Sequence, residues 1–324
     1  MEQEPKSLQE AMVYFNDQAN CREYLMARRW PDGVTCPTCG SKKVTFSLKF
    51  NRWQCGSHHA KRQFTIKTGT VFEDSALGLD KWLLAMWMII NCKNGISSYE
   101  IARDLAITQK SAWFVLHRLR EVMGQDNDGG KLSGEVEADE TFVGGKVRNM
   151  HRRSKRKLDA RNDGSWGKAI VIGLLEREGR VKAAVAPNRR KHELHTNIES
   201  NVEPGSKLYT DDFNGYNFLP ADFQHEFVNH LQSYVKGRVH TSGMENFWSL
   251  LKRGLKGTYV SVDPAHLQAY VDEQVFRFNN RLDSDGGKLT DSDRFDTAIR
   301  QIVGKRLTWN KLIGKEDEQR QVVS

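Results

Sequence analysis

The sequence predicts an α/β protein: a mixed-sheet catalytic core preceded by a zinc ribbon and a helix-turn-helix. Three observations predict it. Two knuckles of metal-ligand residues lie within residues 36–58. Apolar residues recur at helical spacing between 80 and 123. After residue 134 come short strands that contain or end in carboxylates.

The totals fit that outline. A chain of 324 residues is long enough for two or three domains. The net charge of +8 suits a polyanionic partner, most often nucleic acid. The longest apolar run, "WLLAMWMII" from Trp82, is too short to span a bilayer. The start, "MEQEPKSLQE", has none of the features of a signal peptide. Five cysteines, an odd count with three in a metal-like pattern, point to a reducing, cytoplasmic setting without a disulfide framework.

Residues 1–30 read as a helical lead and 31–72 as the ribbon. Cys36 and Cys39 form one C-x-x-C knuckle; Cys55 and His58 form a second, fifteen residues further on. Two knuckles supply four ligands at the corners of a tetrahedron, the arrangement Zn²⁺ prefers. Four ligands leave no open position, so the zinc is structural. His59 is the alternative fourth ligand, and a redox C-x-x-C is the alternative for the first pair. "KKVTFSLKF" and "RWQC" read as strands between the knuckles.

Residues 76–124 read as a helix-turn-helix. Trp82, Leu83, Met86, Ile89 and Ile90 recur at helical spacing. Ser97 or Ser98 can cap "SSYEIARDLA", with Glu100 near the capping-box position. After the turn "ITQK", Gln109 or Lys110 opens "KSAWFVLHRLREVM". The start of that helix would offer Thr108, Gln109, Lys110 and Trp113 to a major groove. An ordinary helical bundle is the alternative. Cys92 reads as a buried core thiol. The polar, glycine-rich "GQDNDGG" places a linker over 125–133.

The core is expected over 134–285, with a basic insertion at 146–166, and 286–324 as an extension and tail. "EVEADETFV" alternates as a strand with Asp139 and Glu140 in its middle. "KAIVIGLLER" and "RVKAAVAP" form a hairpin, and "RKHELHTNIESNV" a helix. "KLYTDD" is a strand ending at Asp211 and Asp212, where carboxylates are well placed for a ligand. "HEFVNH" is a further strand. A helix then carries Glu245 and Lys252, seven residues apart and so on one face. Carboxylates on three separate elements that converge suit two Mg²⁺ (or Mn²⁺) ions, which take oxygen ligands.

"VEADETFVGGK", "YTDDFNGY", "HTSGMENFWSLLKRGLKGTY" and "YVDEQVFRFNNR" resemble the bacterial insertion-sequence transposases of family fifteen ninety-five, over roughly residues 15–285. The resemblance implies a DDE enzyme with an RNase H-like core. It implies Asp139, Asp211 and Glu245 as catalytic, magnesium-holding residues, with Lys252 as the basic residue that follows. Asp212 is the neighbour of the second acid. Some branches use asparagine third, so Asn246 is the alternative to Glu245. Ser242 departs from an asparagine common in relatives. Glu273, Arg277 and Arg281 match a further charged signature, and their spacing also suits plain ion pairs.

The implied chemistry is two-metal phosphoryl transfer on double-stranded DNA: cleavage at the element's ends, then joining to target DNA. Lys252 and Arg253 would hold phosphates. So would Arg152, Arg153, Lys155 and Arg156, in a segment with eight Lys or Arg against one Asp. Trp166, His230 and His240 are flanking candidates for structural or DNA contacts. A homo-oligomer is expected, no membrane partner, and a nucleoid-associated place in the bacterial cytoplasm. The competing reading is a catalytically silent DNA-binding regulator derived from a transposase.

Overall fold

A computed structural model describes residues 4–124, 130–144, 168–217, 219–228 and 240–315. Arg152, Arg153, Lys155, Arg156, Trp166, His230 and the tail from 316 lie outside them. The chain forms two compact units, residues 1–123 with 282–324, and residues 124–281.

The first unit opens with helices α1 (Leu8–Phe15) and α2 (Gln18–Arg29), whose starts are capped by Ser7 and Asp17. Strands β1 (Val44–Ser47), β2 (Arg52–Cys55) and β3 (Gln63–Phe64) form an antiparallel sheet in that order. Trp53 stacks on Phe64 with ring centroids 5.8 Å apart, which gives this small sheet its core. Helix α3 (Leu79–Asn91) buries the apolar residues that its periodicity predicts, Trp82, Leu83, Met86, Ile89 and Ile90. Helix α4 (Ser98–Asp104) starts at a complete capping box between Ser97 and Glu100. A turn with Ala106 at φ +51° leads into α5 (Gln109–Val122), capped by Thr108. Cys92 departs from expectation. It caps the end of α3 half-buried, whereas Cys21, outside the metal-like group, is fully buried and donates to Phe15 O at 3.0 Å.

The second unit is built on a five-stranded mixed sheet. Its strands are β4 (Glu135–Val143), β5 (Ala169–Glu176), β6 (Val181–Ala186), β7 (Lys207–Asp211) and β8 (Gln224–Val228). Their spatial order is β6-β5-β4-β7-β8. The β4, β5 and β6 pairings are antiparallel, while β4–β7 and β7–β8 are parallel. This is the RNase H-like arrangement. Helix α6 (Lys191–Asn201) connects β6 to β7. After β8 come α7 (Ser242–Arg253), one π-helical turn (Gly254–Thr258), and α8 (Leu267–Asn279).

Strand period sorts the sheet's two faces. Ile170, Ile172 and Leu174 pack with Val136, Ala138, Leu194 and Ile198 on the α6 side. Val171 and Leu175 pack with Met244, Phe247, Trp248 and Val271 on the α7–α8 side. Odd-numbered β4 residues, Glu137 and Asp139 among them, therefore face α7.

The chain then returns to the first unit. Helix α9 (Asp291–Arg300) places Phe295 against Phe15, Tyr24 and Trp87, with centroids 5.7, 5.7 and 5.0 Å away. The short α10 (Trp309–Leu312) sets Trp309 against Trp113 and Phe114 of α5. The last described stretch is thus part of a core rather than a loose extension. Among the described residues no helix is long and apolar enough to cross a membrane.

Candidate active site and metal centre

In the ribbon the ligand atoms of Cys36, Cys39, Cys55 and His59 all lie within 4.8 Å of one another. Cys39 Sγ and Cys55 Sγ are 3.7 Å apart, and Cys36 Sγ and His59 Nε2 are 3.4 Å apart. With Zn–S of about 2.3 Å and Zn–N of about 2.0–2.1 Å, a tetrahedron has edges close to these lengths. The group fits a structural zinc. Burial raises the Cys36 thiol, but N–H groups of Thr38 and Cys39 and the neighbouring thiols outweigh it and bring Cys36 down to about 6. That favours the thiolate a metal needs.

His58 is a correction: it is exposed, and His59 takes its place. The reason is the turn after Cys55. Gly56 N donates to Lys43 O at 2.7 Å, and Ser57 N approaches Cys55 Sγ at 3.4 Å. The chain wraps around the sulfur first, so the ring reaches the cluster one residue later.

In the second unit, the parallel register pairs Glu135 with Lys207 and Glu137 with Tyr209. Continued by two residues, it sets Asp139 level with Asp211. Both then point to the α7 face, as do Glu135 and Tyr209, which are hydrogen-bonded at 2.9 Å. Asp212 lies past the strand end and is exposed. Asp139 Oδ1 accepts from Glu140 N at 2.8 Å, and its Oδ2 accepts from Trp248 Nε1 of α7 at 2.9 Å. Burial, then the charges of Glu140 and Asp211, push Asp139 up to about 7. A buried carboxylate whose proton affinity is raised by neighbouring acids is a group that a cation would suit.

Glu140 points to the other face. Tyr216 OH donates to it at 2.8 Å, and Arg189 lies 3.7 Å away. Burial raises its proton affinity, against the Tyr216 hydrogen bond.

Two features seat α7. Gly173 is paired directly with Asp139 across the β4–β5 ladder. A Cβ there would lie 2.3 Å from Met244 Cε and 2.6 Å from the Trp248 ring, so only glycine lets the helix come this close. Glu137, 1% exposed, accepts from Met244 N at 3.0 Å in the first turn of α7. A carboxylate at a helix N-terminus is favoured by the helix dipole. Arg177 Nε donates to Glu137 at 3.1 Å, and His240 Nδ1 lies 3.3 Å from it. His240 is therefore tied into this anchor. Sequence reading missed Glu137, Arg177 and Trp248. The signal for Glu137 was present, two residues before Asp139 and hence on the same face.

Helix geometry orders the third-residue candidates. At about 100° per residue, Trp248 and Lys252 flank the direction of Asp139. Trp248 touches it. Burial, with the charges of Lys256 and Lys168, lowers the Lys252 proton affinity, and the Asp139 charge offsets only part of that. Glu245 lies about 40° from the middle of that direction, Asn246 about 140°. Both are exposed. Among the described residues Glu245 does not join the two aspartates in a group tight enough to grip one ion.

Residues 131–279 match the family model described as an ISXO2-like transposase domain, and residues 16–60 match a transposase zinc-ribbon domain. A transposase-like protein of Haemophilus influenzae is 32% identical over 102 residues, covering 31% of this chain and 82% of its own length. The chain belongs to this family of insertion-sequence transposases. A protein in transposable element ISH50 of Halobacterium salinarum is 29% identical over 299 residues, 88% of this chain and 98% of that one. A chain of the simian T-cell lymphotropic virus intasome with PP2A regulatory subunit B56 gamma superposes with a TM-score of 0.31 at 12% identity, over 64% of this chain and 70% of that one, too loosely to inform the fold.

Besides the face that carries Asp139, the transposase has an open cavity of ≈ 500 Å³ lined by Ser249, Lys252, Arg253, Lys256 and Gly257. Cations lie close together here at the π-helical turn, a feature frequent at functional sites. Glu273 and Arg277 form a buried ion pair joined by the Tyr259 hydroxyl. Arg281 stands apart from it, donating to Phe278 O at 2.7 Å. In the helix-turn-helix, Gln109 Nε2 donates to Ser98 Oγ at 2.9 Å. Lys110 is exposed and lies 4.6 Å from the Trp309 ring centroid. Trp113, half-buried, packs against His117 and Trp309.

Proposed function

We propose that this transposase binds the ends of its insertion sequence, cuts them, and joins the freed 3′ ends to target DNA. The observation that supports the reading most is the β4–β7 register, which when continued sets Asp139 level with Asp211 on one sheet face. With it goes the Trp248 hydrogen bond that holds the Glu245- and Lys252-bearing helix to Asp139. Asp139, Asp211 and Glu245 would hold two Mg²⁺ or Mn²⁺ ions; such ions, when bound, stabilise the attacking and leaving oxygens of an in-line displacement. Glu245 is the third residue in this reading, and Asn246 faces away from the aspartates.

The first displacement adds a water oxygen to the phosphorus and breaks the P–O3′ bond, leaving a 3′-hydroxyl and a 5′-phosphate. In the second, that 3′ oxygen attacks a target phosphodiester, loses its proton, and displaces the target's own 3′ oxygen. Lys252 and Arg253, with Lys256 beside them, hold backbone phosphates at the helix end. The helix-turn-helix and the zinc ribbon bind the element's ends, with Gln109 and Lys110 at the start of α5. The residue ranges read from sequence, 31–72, 76–124 and 134–285, serve as the working domain limits. At least two chains acting together, in the bacterial cytoplasm, suit paired ends.

The test is strand transfer. A duplex carrying an element end with its 3′-hydroxyl already exposed is incubated with plasmid target and Mg²⁺. The reading expects covalent joining by wild type and none by Asp211→Ala. Tight end binding without cleavage or joining by wild type would establish the silent regulator instead.

A further inference from the structure

The zinc ribbon ends in a tip that its own core does not use. β1 and β2 are joined by a single 3-10 turn, Leu48–Phe50, followed by Asn51 at φ +46°. Leu48 is 85% exposed and Phe50 57% exposed. The ribbon's interior is filled instead by Trp53, Phe64 and the metal cluster. Two neighbouring apolar side chains held out in water lose the stabilisation that burial would give, so their place is explained by a partner that covers them.

The surroundings say what that partner is. Between Asp32 and Glu73 the chain has seven lysines and arginines and no acidic residue. Two of the seven frame the tip. The Arg52 guanidinium sits 4.7 Å from the Phe50 ring centroid, and Lys49 Nζ sits 5.4 Å from it. Arg22 of α2 donates to Asn51 Oδ1 at 3.3 Å and braces the turn from behind. On its other side Phe50 borders an open cavity that also holds Arg22, Lys67, Glu73 and Asp74. The cations nearest its ring are Lys49 and Arg52, and apolar side chains framed by cations complement stacked bases flanked by phosphates.

We propose that this tip is a duplex-DNA contact: Phe50 and Leu48 wedge into the minor groove against a base step, while Lys49 and Arg52 hold the phosphates on either side. Apolar side chains inserted between base steps from the minor groove kink a duplex by roughly 20–90°. The proposal rests on the reading of the chain as a DNA transposase. It adds a binding site distinct from the helix-turn-helix and the catalytic face.

The experiment uses full-length, zinc-loaded protein without Mg²⁺. Two 60-base-pair duplexes carry dyes at their ends, one with the element's terminus and one of random sequence. Binding is measured across salt concentrations and bending by energy transfer. Leu48→Ser with Phe50→Ser should weaken binding about tenfold on both duplexes and abolish the bend, leaving the salt slope unchanged. Lys49→Ala with Arg52→Ala should reduce that slope by about two, from a dependence of about 0.9 per phosphate neutralised. Phe50→Trp should keep the bend, with its added fluorescence quenched by DNA.

Unchanged affinity and bend in the Leu48→Ser, Phe50→Ser protein, with zinc content and melting as in wild type, overturn the proposal. A change of oligomeric state with DNA binding intact also overturns it, and assigns the tip to a protein contact. Cleavage of the same duplexes in Mg²⁺ is scored separately. Binding and bending without cleavage would sink the transposase reading and leave the tip standing.

Discussion

A Cβ on Gly173 would lie 2.3 Å from Met244 Cε and 2.6 Å from the Trp248 ring. Gly173→Ala must therefore push α7 off the sheet at the point where Trp248 reaches Asp139. Overpacking of this kind costs about 1–3 kcal/mol. The expected result is a folded protein with a lowered melting temperature and DNA cleavage reduced at least tenfold. Asp139 predicts an effect of the opposite sign on stability. Its proton affinity is raised on folding, so the folded state holds a proton that the unfolded chain has lost. Stability then falls as pH rises from near 4 to about 7. In Mg²⁺-free buffer, Asp139→Asn should raise the melting temperature at pH 8 and change it little at pH 4, a difference that thermal melts at the two pH values will show. The acids could be proposed from sequence because each sits in a long motif. Gly173, Glu137 and Trp248 were not, since their roles depend on a register between strands and on the height of a helix above them.

Helix α7 explains why a carboxylate and a lysine stand seven residues apart. Two turns bring Glu245 and Lys252 to the same side, and Trp248, about 40–60° round the helix from them, reaches Asp139. The pairing of Asn246 with Arg253 has the same spacing, so sequence alone left both pairs open. Glu245 is the proposed third residue because it and Lys252 lie on the side of α7 nearer to Trp248, which touches Asp139. The zinc ribbon shows the same limit. Its existence was legible from the Cys36, Cys39 and Cys55 spacing, while its fourth ligand depended on hydrogen bonds in the turn after Cys55. His59→Ala should lose zinc, and with it the ribbon's fold, when metal content and near-ultraviolet circular dichroism are measured. His58→Ala should retain both. Metal binding is folding free energy for such a small unit, so the contrast should be large.

At the scale of the whole molecule, the succession of strands and helices along the core could be read in advance, but the path of the carboxyl-terminal residues could not. Nothing in the polar, charged sequence after Leu282 announces that Phe295 will join Phe15, Tyr24 and Trp87. Long-range packing of one aromatic leaves little periodic trace. Arg28 ties the same helix in, through Asp296 at 2.6 Å. Phe295→Ala should cost about 3–5 kcal/mol in the first unit, measured by denaturant unfolding. Sheet and helices of the second unit share no part of that core, so its unfolding transition should not move.

The central claim is that Asp139, Asp211 and Glu245 act together on a DNA phosphate. It is tested most directly by Mg²⁺-dependent cleavage of a duplex carrying the element's end, with wild type, Asp211→Ala, Glu245→Ala and Asn246→Ala side by side. Cleavage by wild type and Asn246→Ala, with at least a thousandfold loss in the other two, is the predicted result. Full cleavage by Glu245→Ala, with loss in Asn246→Ala, would contradict it and move the third role one residue along the helix.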